Sequence, residues 1–340
     1  MSGPVVPPGP DLAILGRLLP DEKTECQRLS GGANNRVWEI TCGRGKFMLK
    51  EYYAARGSDR DRFSSERAFY RVAAPRVSGQ VSAALGWDPE GPAALFSWIE
   101  GHKLLPGEVA GGHVQQALDF FEALNRDPMP ERAALPPAAE SASSVWEHLG
   151  IIGRRVERLS EISGTDPQSR GAVELIQYGI EPVWEKIRAQ VEKDWPKKGR
   201  GSLACPPCVS PSDFGFHNAL LQPDDRLCFF DFEYAGWDDP AKMLADFFSQ
   251  PRIPVAGHHF SVAVGRVAKM FPGDRLLAER TQALWPAYRL KWICIMLNEF
   301  LPQGENRRAF ALGEPVRESL RREKLQQARA ALQALGESLA

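Results

Sequence analysis

The sequence predicts an α+β chain of two unequal lobes, a small antiparallel sheet followed by a larger, mainly helical part. Three observations predict it. The chain has 340 residues, more than one hydrophobic core comfortably serves. Short β-like runs bounded by glycine crowd the first hundred residues. Apolar residues at helical spacing fill most of the chain beyond Gly101. At 43% hydrophobic and 25% charged residues, the composition is that of a globular protein and not of a disordered one.

The elements follow in order. Residues 1–10, MSGPVVPPGP, read as a disordered, proline-rich lead without the basic and apolar stretches of a secretory signal. Asp11 to Leu19 reads as a short helix with Asp11 near its start. Strands are expected over Thr24–Leu29, Arg36–Thr41 and Lys46–Tyr53, the last two joined as a hairpin by Cys42-Gly43-Arg44-Gly45. A helix over Asp61–Ala73 comes next, with Phe63, Ala68, Phe69 and Val72 as its buried stripe, and then a strand over Ala93–Ile99. These elements describe a lobe over residues 11–99 built on an antiparallel sheet.

Helices are expected over Val114–Asn125, Val145–Ile162 and Ala172–Trp195, the first two separated by the Pro/Ala-rich loop Asp127–Glu140. A strand-loop-strand segment interrupts them between Cys208 and Phe232. Four more helical patterns run to the end, closing with Val316–Leu339. No repeat of fixed period is visible. The second lobe takes residues 102–340, with a connector at 96–101.

Composition excludes several classes. Lys plus Arg is 42 and Asp plus Glu is 43, a net charge of -1, so nothing in bulk draws the chain to nucleic acid or an anionic membrane. The longest apolar runs, such as Trp292–Leu297, fall far short of the roughly 18 to 20 residues that span a bilayer. The six cysteines (26, 42, 205, 208, 228 and 294) are scattered and read as reduced thiols of a cytoplasmic protein. Cys205 and Cys208 have the spacing of half a zinc site, but no second pair accompanies them. His258-His259 has no acid or cysteine at ligand spacing and reads as a surface pair. The alternating charges of Arg317–Lys324 read as a solvated helix face.

The chemistry concentrates in Ser210-Pro211-Ser212-Asp213-Phe214-Gly215-Phe216-His217-Asn218-Ala219-Leu220-Leu221. Asn218 follows Asp213 by five positions, and a second strand, Leu227–Phe230, then delivers Asp231-Phe232-Glu233. Phosphoryl transfer needs this set: one carboxylate to take the hydroxyl proton, and an amide and a second carboxylate to hold a metal against the phosphates. A hairpin fixes both loops at one end of a rigid strand pair.

The segment resembles the aminoglycoside phosphotransferase/choline kinase superfamily, whose loop reads His-Gly-Asp-x-x-x-x-Asn and whose next strand ends Ile-Asp-Phe/Trp-Glu. Tyr234-Ala235-Gly236-Trp237-Asp238-Asp239-Pro240 and Ala245-Asp246 extend the likeness. Pro211 and Ser212 depart from it, standing where the family has His and Gly. The resemblance implies a bilobal protein-kinase-like fold and an ATP-dependent small-molecule kinase that uses Mg²⁺ with ATP or GTP. It implies Asp213 as base, Asn218 and Asp231 as metal ligands, and Asp246 as structural support of the loop.

For the nucleotide it implies Lys50 as the phosphate grip with Glu66 as its helical partner. A charged strand-end residue such as Lys50 is costly when buried unpaired, which independently favours a paired role. Ser30, Gly31, Gly32 and Asn34 lie in a small-residue turn where backbone N–H groups approach phosphates. Ser97 (carbonyl) and Ile99 (amide) would hold the adenine at the connector, with Phe96 as gatekeeper. His217 reads as loop packing or a substrate contact.

The acceptor is a hydroxylated small molecule, an amino alcohol, sugar or amino sugar. Acids such as Glu233, Asp238, Asp239, Glu299 and Glu305 would make a negative cleft, with Trp237, Trp285, Tyr288 and Trp292 as stacking surfaces; that most of them merely pack or face solvent is the competing reading. Two rivals stand beside a kinase. One is a pseudokinase-like nucleotide-binding scaffold, favoured by Pro211; the other is adenylyl transfer on the same fold. No partner of nucleic acid or membrane is expected, and the oligomeric state is left open.

Overall fold

The computed structural model describes residues 9–29, 35–53, 60–127, 134–195, 207–301 and 318–339. Most of the 1–10 lead, Ser30 to Asn34, Cys205, Glu305 and the start of the Val316–Leu339 helix lie outside the described residues.

The chain begins with α1 (Leu12–Leu18), whose first turn is capped by the Asp11 side chain accepting from the Ala13 amide. Three antiparallel strands follow, β1 (Glu25–Arg28), β2 (Arg36–Cys42) and β3 (Gly45–Glu51). The β2–β3 turn ends on Gly45, whose φ of 118° only glycine adopts freely. The helix α2 (Arg62–Val72) then precedes β4 (Ala84–Asp88) and β5 (Ala93–Ser97), and the sheet runs in the order β1-β2-β3-β5-β4.

The sheet's period of two sorts its side chains. Phe47, Leu49, Ala93 and Leu95 pack with Ile14, Leu15 and Leu19 of the α1 region on one face. Ala94 and Phe96 lie with Phe63 of α2 on the other. Lys50, opposite Ala94 in the β3–β5 register, therefore shares the α2 face. In α2 the expected stripe holds at Phe63 and Phe69, while Ala68 and Val72 are half-buried and Ser65 and Glu66 complete the buried face. A polar pair inside an apolar stripe is the first structural sign of a site.

Strand β4 has no counterpart in the sequence reading. Its register shifts between Ala84 and Gly86, and Leu85 is 51% exposed, so no alternation marks it. Gly86 is there for close packing, since a Cβ would lie 2.9 Å from Leu18.

The remainder is mainly helical: α3 (Gly111–Asn125), α4 (Val145–Arg158), α5 (Pro167–Leu175), α6 (Glu181–Asp194), α7 (Pro240–Phe247), α8 (Phe260–Met270), α9 (Leu277–Met296) and α10 (Glu318–Ser338). The helix expected over Ala172–Trp195 is broken by a π-helical turn at Ile176–Ile180, where Gly179 lets Leu332 approach within 2.7 Å of its Cβ position. α9 is buried along most of its length and packs against α4, α6, α7 and α10.

Four short strands interrupt these helices. β7 (Ala219–Leu221) and β8 (Leu227–Phe229) form the expected hairpin, and β6 (Cys208–Ser210) pairs with β9 (Gly236–Asp238). The hairpin is tied to the connector: His102 and Leu221 exchange backbone hydrogen bonds of 3.0 and 2.8 Å. Gly101 permits this approach, because a Cβ would sit 2.7 Å from the Leu221 carbonyl oxygen. No helix among the described residues is long and apolar enough to cross a membrane.

Candidate active site

Lys50 leaves β3 on the α2 face and meets Glu66 Oε2 at 2.6 Å, one α-helical turn inside that helix. Its ammonium also reaches Asp231 Oδ1 at 2.5 Å and Glu233 Oε2 at 3.6 Å. Tyr52 donates to Glu66 Oε2 at 2.8 Å, while the Phe232 amide donates to Glu66 Oε1 at 3.0 Å. The three acids place carboxylate oxygens within 4.8 Å of one another. Burial alone would lower the Lys50 ammonium, but Asp231, Glu66 and Glu233 hold it well above the ordinary lysine range. Burial pushes Glu66 and Glu233 up against the pull of Lys50.

Opposite Lys50 stands the β7–β8 hairpin. Asn218 precedes β7 and Asp231 follows β8, and the Phe230 amide donates to the Asn218 carbonyl at 3.0 Å, so the strand pairing itself sets the two side by side. Asn218 Nδ2 donates to the Asp213 carbonyl at 2.9 Å, closing the loop between them. Phe214 and Phe216 anchor that loop from below, Phe214 stacking on Phe120 and Phe247 at 5.6 and 5.3 Å. With both phenylalanines turned into the core, Asp213, His217 and Asn218 border the cleft.

Two residues here hold the left-handed backbone region, Ser212 at φ 66° and Asp231 at φ 69°. Non-glycine residues rarely adopt it. Ser212 occupies the place where the resembled loop has glycine, and it holds a backbone conformation that glycine adopts without strain. Such outliers persist where the surrounding structure over-determines them, and Ser212 is fixed by its amide donating to Ser210 Oγ at 3.0 Å.

His217, expected as loop packing or a substrate contact, lines the cleft and has a partner that the sequence reading did not name. Its Nε2 lies 3.1 Å from Asp213 Oδ1. Its Nδ1 is buried without a hydrogen-bond partner, so a proton there would be an unsatisfied donor; the proton belongs on Nε2, which donates to Asp213. Burial would raise the Asp213 carboxyl, but His217 foremost, with Lys291, holds it below the ordinary aspartate range. The signal was available: the two residues are four apart in a loop whose alternate positions are phenylalanine.

A cleft of about 380 Å³ lies between these groups and the sheet. Leu29, Val37, Met48 and Phe96 line it from the sheet side, Leu220 and Phe230 from the hairpin, and Ser97, Trp98, Ile99 and Gly101 along the connector. Ser97 is engaged with Ala83, its amide donating to the Ala83 carbonyl at 2.9 Å and its Oγ accepting from the Ala83 amide at 2.8 Å. Ser30, Gly31, Gly32 and Asn34, the expected phosphate turn, lie outside the described residues. Their neighbour Asn35, which the sequence reading passed over, lines the cleft and donates to Glu233 Oε2 at 2.5 Å.

None of Glu233, Trp237, Asp238, Trp292 and Glu299 lines this cleft. Glu233 is turned inward to Lys50 and Asn35. Asp238 is fully buried against Lys242 at 2.6 Å, and Asp239 is fully buried against Arg280 at 2.8 Å and His148 at 3.0 Å. These are internal ion pairs, where a charge without a partner would be prohibitive. Tyr288 is buried with its hydroxyl 2.6 Å from His148. Trp292 donates to Asp246 at 3.0 Å, and Glu299 is only 5% exposed. Asp246 is buried as expected, but its hydrogen bonds go to Lys291 and Trp292 of α9 and not into the 213–218 loop. Its route to that loop is indirect, through Lys242, 3.7 Å from Asp246 and 3.4 Å from Ser212 Oγ.

Comparison with known proteins agrees with this geometry. The model of the phosphotransferase enzyme family (APH) matches residues 25–256. No curated protein matches the chain in sequence. Among solved structures, choline kinase from Cryptosporidium parvum superposes with a TM-score of 0.59 at 10% identity, covering 96% of each chain. A choline/ethanolamine kinase family protein from Mesorhizobium loti gives a TM-score of 0.55 at 18% identity, over 95% of this chain and 97% of that one. A spectinomycin phosphotransferase solved with ADP and spectinomycin gives 0.58 at 12% identity, over 95% and 97%. At these identities the structural likeness shows the fold, a bilobal protein-kinase-like one.

Proposed function

The chain belongs to the phosphotransferase enzyme family, and on that premise we propose that it moves the γ-phosphoryl group of a nucleoside triphosphate, ATP or GTP, onto a hydroxyl of a small molecule. One observation carries the reading. A single hairpin sets Asn218 and Asp231 side by side, with Asp213 tied to Asn218, facing a lysine that a helix glutamate holds in place.

Each group then has a task. Asp213, kept as a carboxylate by His217, accepts the proton as the acceptor hydroxyl attacks the γ-phosphorus. The bond from that phosphorus to the β,γ-bridging oxygen breaks, and the nucleoside diphosphate leaves with the negative charge. Lys50 answers phosphate charge from the sheet side, and Glu66 keeps its ammonium aimed at the cleft. The apolar walls Val37, Leu220 and Phe230 fit an adenine, with Ser97 and Ile99 presenting backbone polar groups to its edge.

The donors also fit Mg²⁺, which takes oxygen ligands and retains several waters. Asn218 spends its amide nitrogen on Asp213, leaving Oδ1 as the ligand atom, and the Asp231 carboxylate is 34% exposed toward the cleft. Bound there, the ion would neutralise phosphate oxygens. The five described cysteines are free thiols, which supports a reducing, cytoplasmic setting.

The departure at Pro211-Ser212 favours a scaffold without activity. The glycine-like backbone at Ser212 and the presence of Lys50, Asp213, Asn218 and Asp231 around one cleft favour an enzyme. Incubating the purified chain with Mg²⁺, γ-labelled ATP and a panel of hydroxyl compounds tests this. Label is expected on an acceptor; nucleotide binding without any transfer would support the scaffold instead.

A further inference from the structure

The cations on the rim of the cleft bear on the acceptor, and the argument rests on the phosphotransferase reading above. Lys50 is answered by Glu66, Asp231 and Glu233. Lys103 and Arg252 line the same cleft, and among the described residues neither makes an ion pair with an acid. Their backbones are built in place. Lys103 lies between His102, which is bonded to Leu221, and the buried Leu104. Arg252 sits in a turn held by the buried Gln250, whose Oε1 accepts from the Arg252 and Ile253 amides at 3.0 Å each. Gln250 in turn packs beside Gly215 of the Asp213 loop.

The two cations repel each other. Burial first, and Arg252 second, lower the Lys103 ammonium, with only Asp231 pulling the other way. Lys103, exposed at the rim, also stands over the Phe230 ring at 5.6 Å. The acids that would have drawn an ammonium group, Glu233, Asp238 and Asp239, are consumed by internal cations. Mutually repelling cations that line the same cleft as Asp213 are neutralised best by an anion.

We propose that Lys103 and Arg252 form an anion subsite and that the acceptor is a hydroxyl compound bearing a carboxylate or phosphate, not an ammonium group. The test compares anionic, neutral and ammonium-bearing alcohols as acceptors for the full chain with Mg²⁺ and ATP, then repeats the measurement with Lys103→Ala, Arg252→Ala and Arg252→Glu. Anionic acceptors should have the highest kcat/KM. Each alanine variant should raise their KM about tenfold, the scale of one lost hydrogen bond to a charged group, and raise the KM for ATP by clearly less. Arg252→Glu should shift preference toward ammonium-bearing acceptors.

A wild-type preference for ammonium-bearing acceptors would overturn the inference and leave the phosphotransferase reading standing. A rise in the KM for ATP alone would overturn it too, by assigning both cations to the nucleotide's own phosphates. Transfer to no acceptor of any charge would overturn the parent reading, and this one with it.

Discussion

Asp213 and His217 show how one hydrogen bond sorts a site. His217 Nε2 contacts Asp213 Oδ1 at 3.1 Å, and Asn218 Nδ2 donates at 3.4 Å to Oδ2, the oxygen that the proposed mechanism turns to the acceptor hydroxyl. Replacing His217 with Gln, whose Nε2 can reach the same oxygen, is expected to keep kcat within about tenfold of wild type. His217→Leu removes the donor and is expected to lower kcat by about a hundredfold or more while the KM for nucleotide holds. Equal losses in both variants would make His217 a packing residue. That Asp213, Asn218, Asp231 and Lys50 gather at one cleft was legible in the sequence from their types and spacing. The roles of Glu233, Asp238 and Asp239 were not, because a carboxylate looks the same in sequence whether it faces a ligand or a buried lysine.

The elements divide in the same way. The β7–β8 hairpin and β3 announce themselves by compact apolar runs between turn residues, whereas β4 is hidden by its register shift and β9 by its Gly-Trp-Asp sequence, which holds no apolar run. β9 leads into α7, whose start carries a buried network. Asp239 caps α7 and also holds Arg280 of α9 and His148 of α4. Burial would raise its carboxyl, but the hydrogen bonds from His148 and Arg280 pull it down to about 2. A carboxyl depressed on folding stabilises the protein above its unfolded value, near 4, and that stability is lost as pH falls toward 2. The loss is on the order of 2 kcal/mol. Asp239→Asn is expected to lower stability at pH 7 by about 3 kcal/mol, by leaving Arg280 with fewer partners, and to flatten the acid limb of the denaturation profile. An unchanged acid limb in that variant would remove Asp239 from the account.

At the scale of the molecule, the near-neutral total says little and the placement of charge says more. Lys50 and Asp231 are 181 positions apart yet 2.5 Å apart in space. Only the closing of the sheet over the hairpin makes them a pair, so the two-lobed plan was legible from element types while this contact was not. A ligand that spans both parts should stabilise them together. Mg·ATP at about a hundred times its Kd is expected to add about 2.7 kcal/mol, read as a rise in Tm of a few degrees. Lys50→Met should abolish most of that rise; a rise of the same size in the variant would place the nucleotide elsewhere.

The central claim is that Asp213 takes the proton in a phosphoryl transfer to a small hydroxyl compound. Its most direct test is the single-turnover rate of γ-phosphoryl transfer by wild type and Asp213→Asn, measured beside nucleotide affinity. The account predicts a fall of about a hundredfold to ten-thousandfold in rate with nucleotide affinity nearly unchanged. Transfer at the wild-type rate in Asp213→Asn would contradict it.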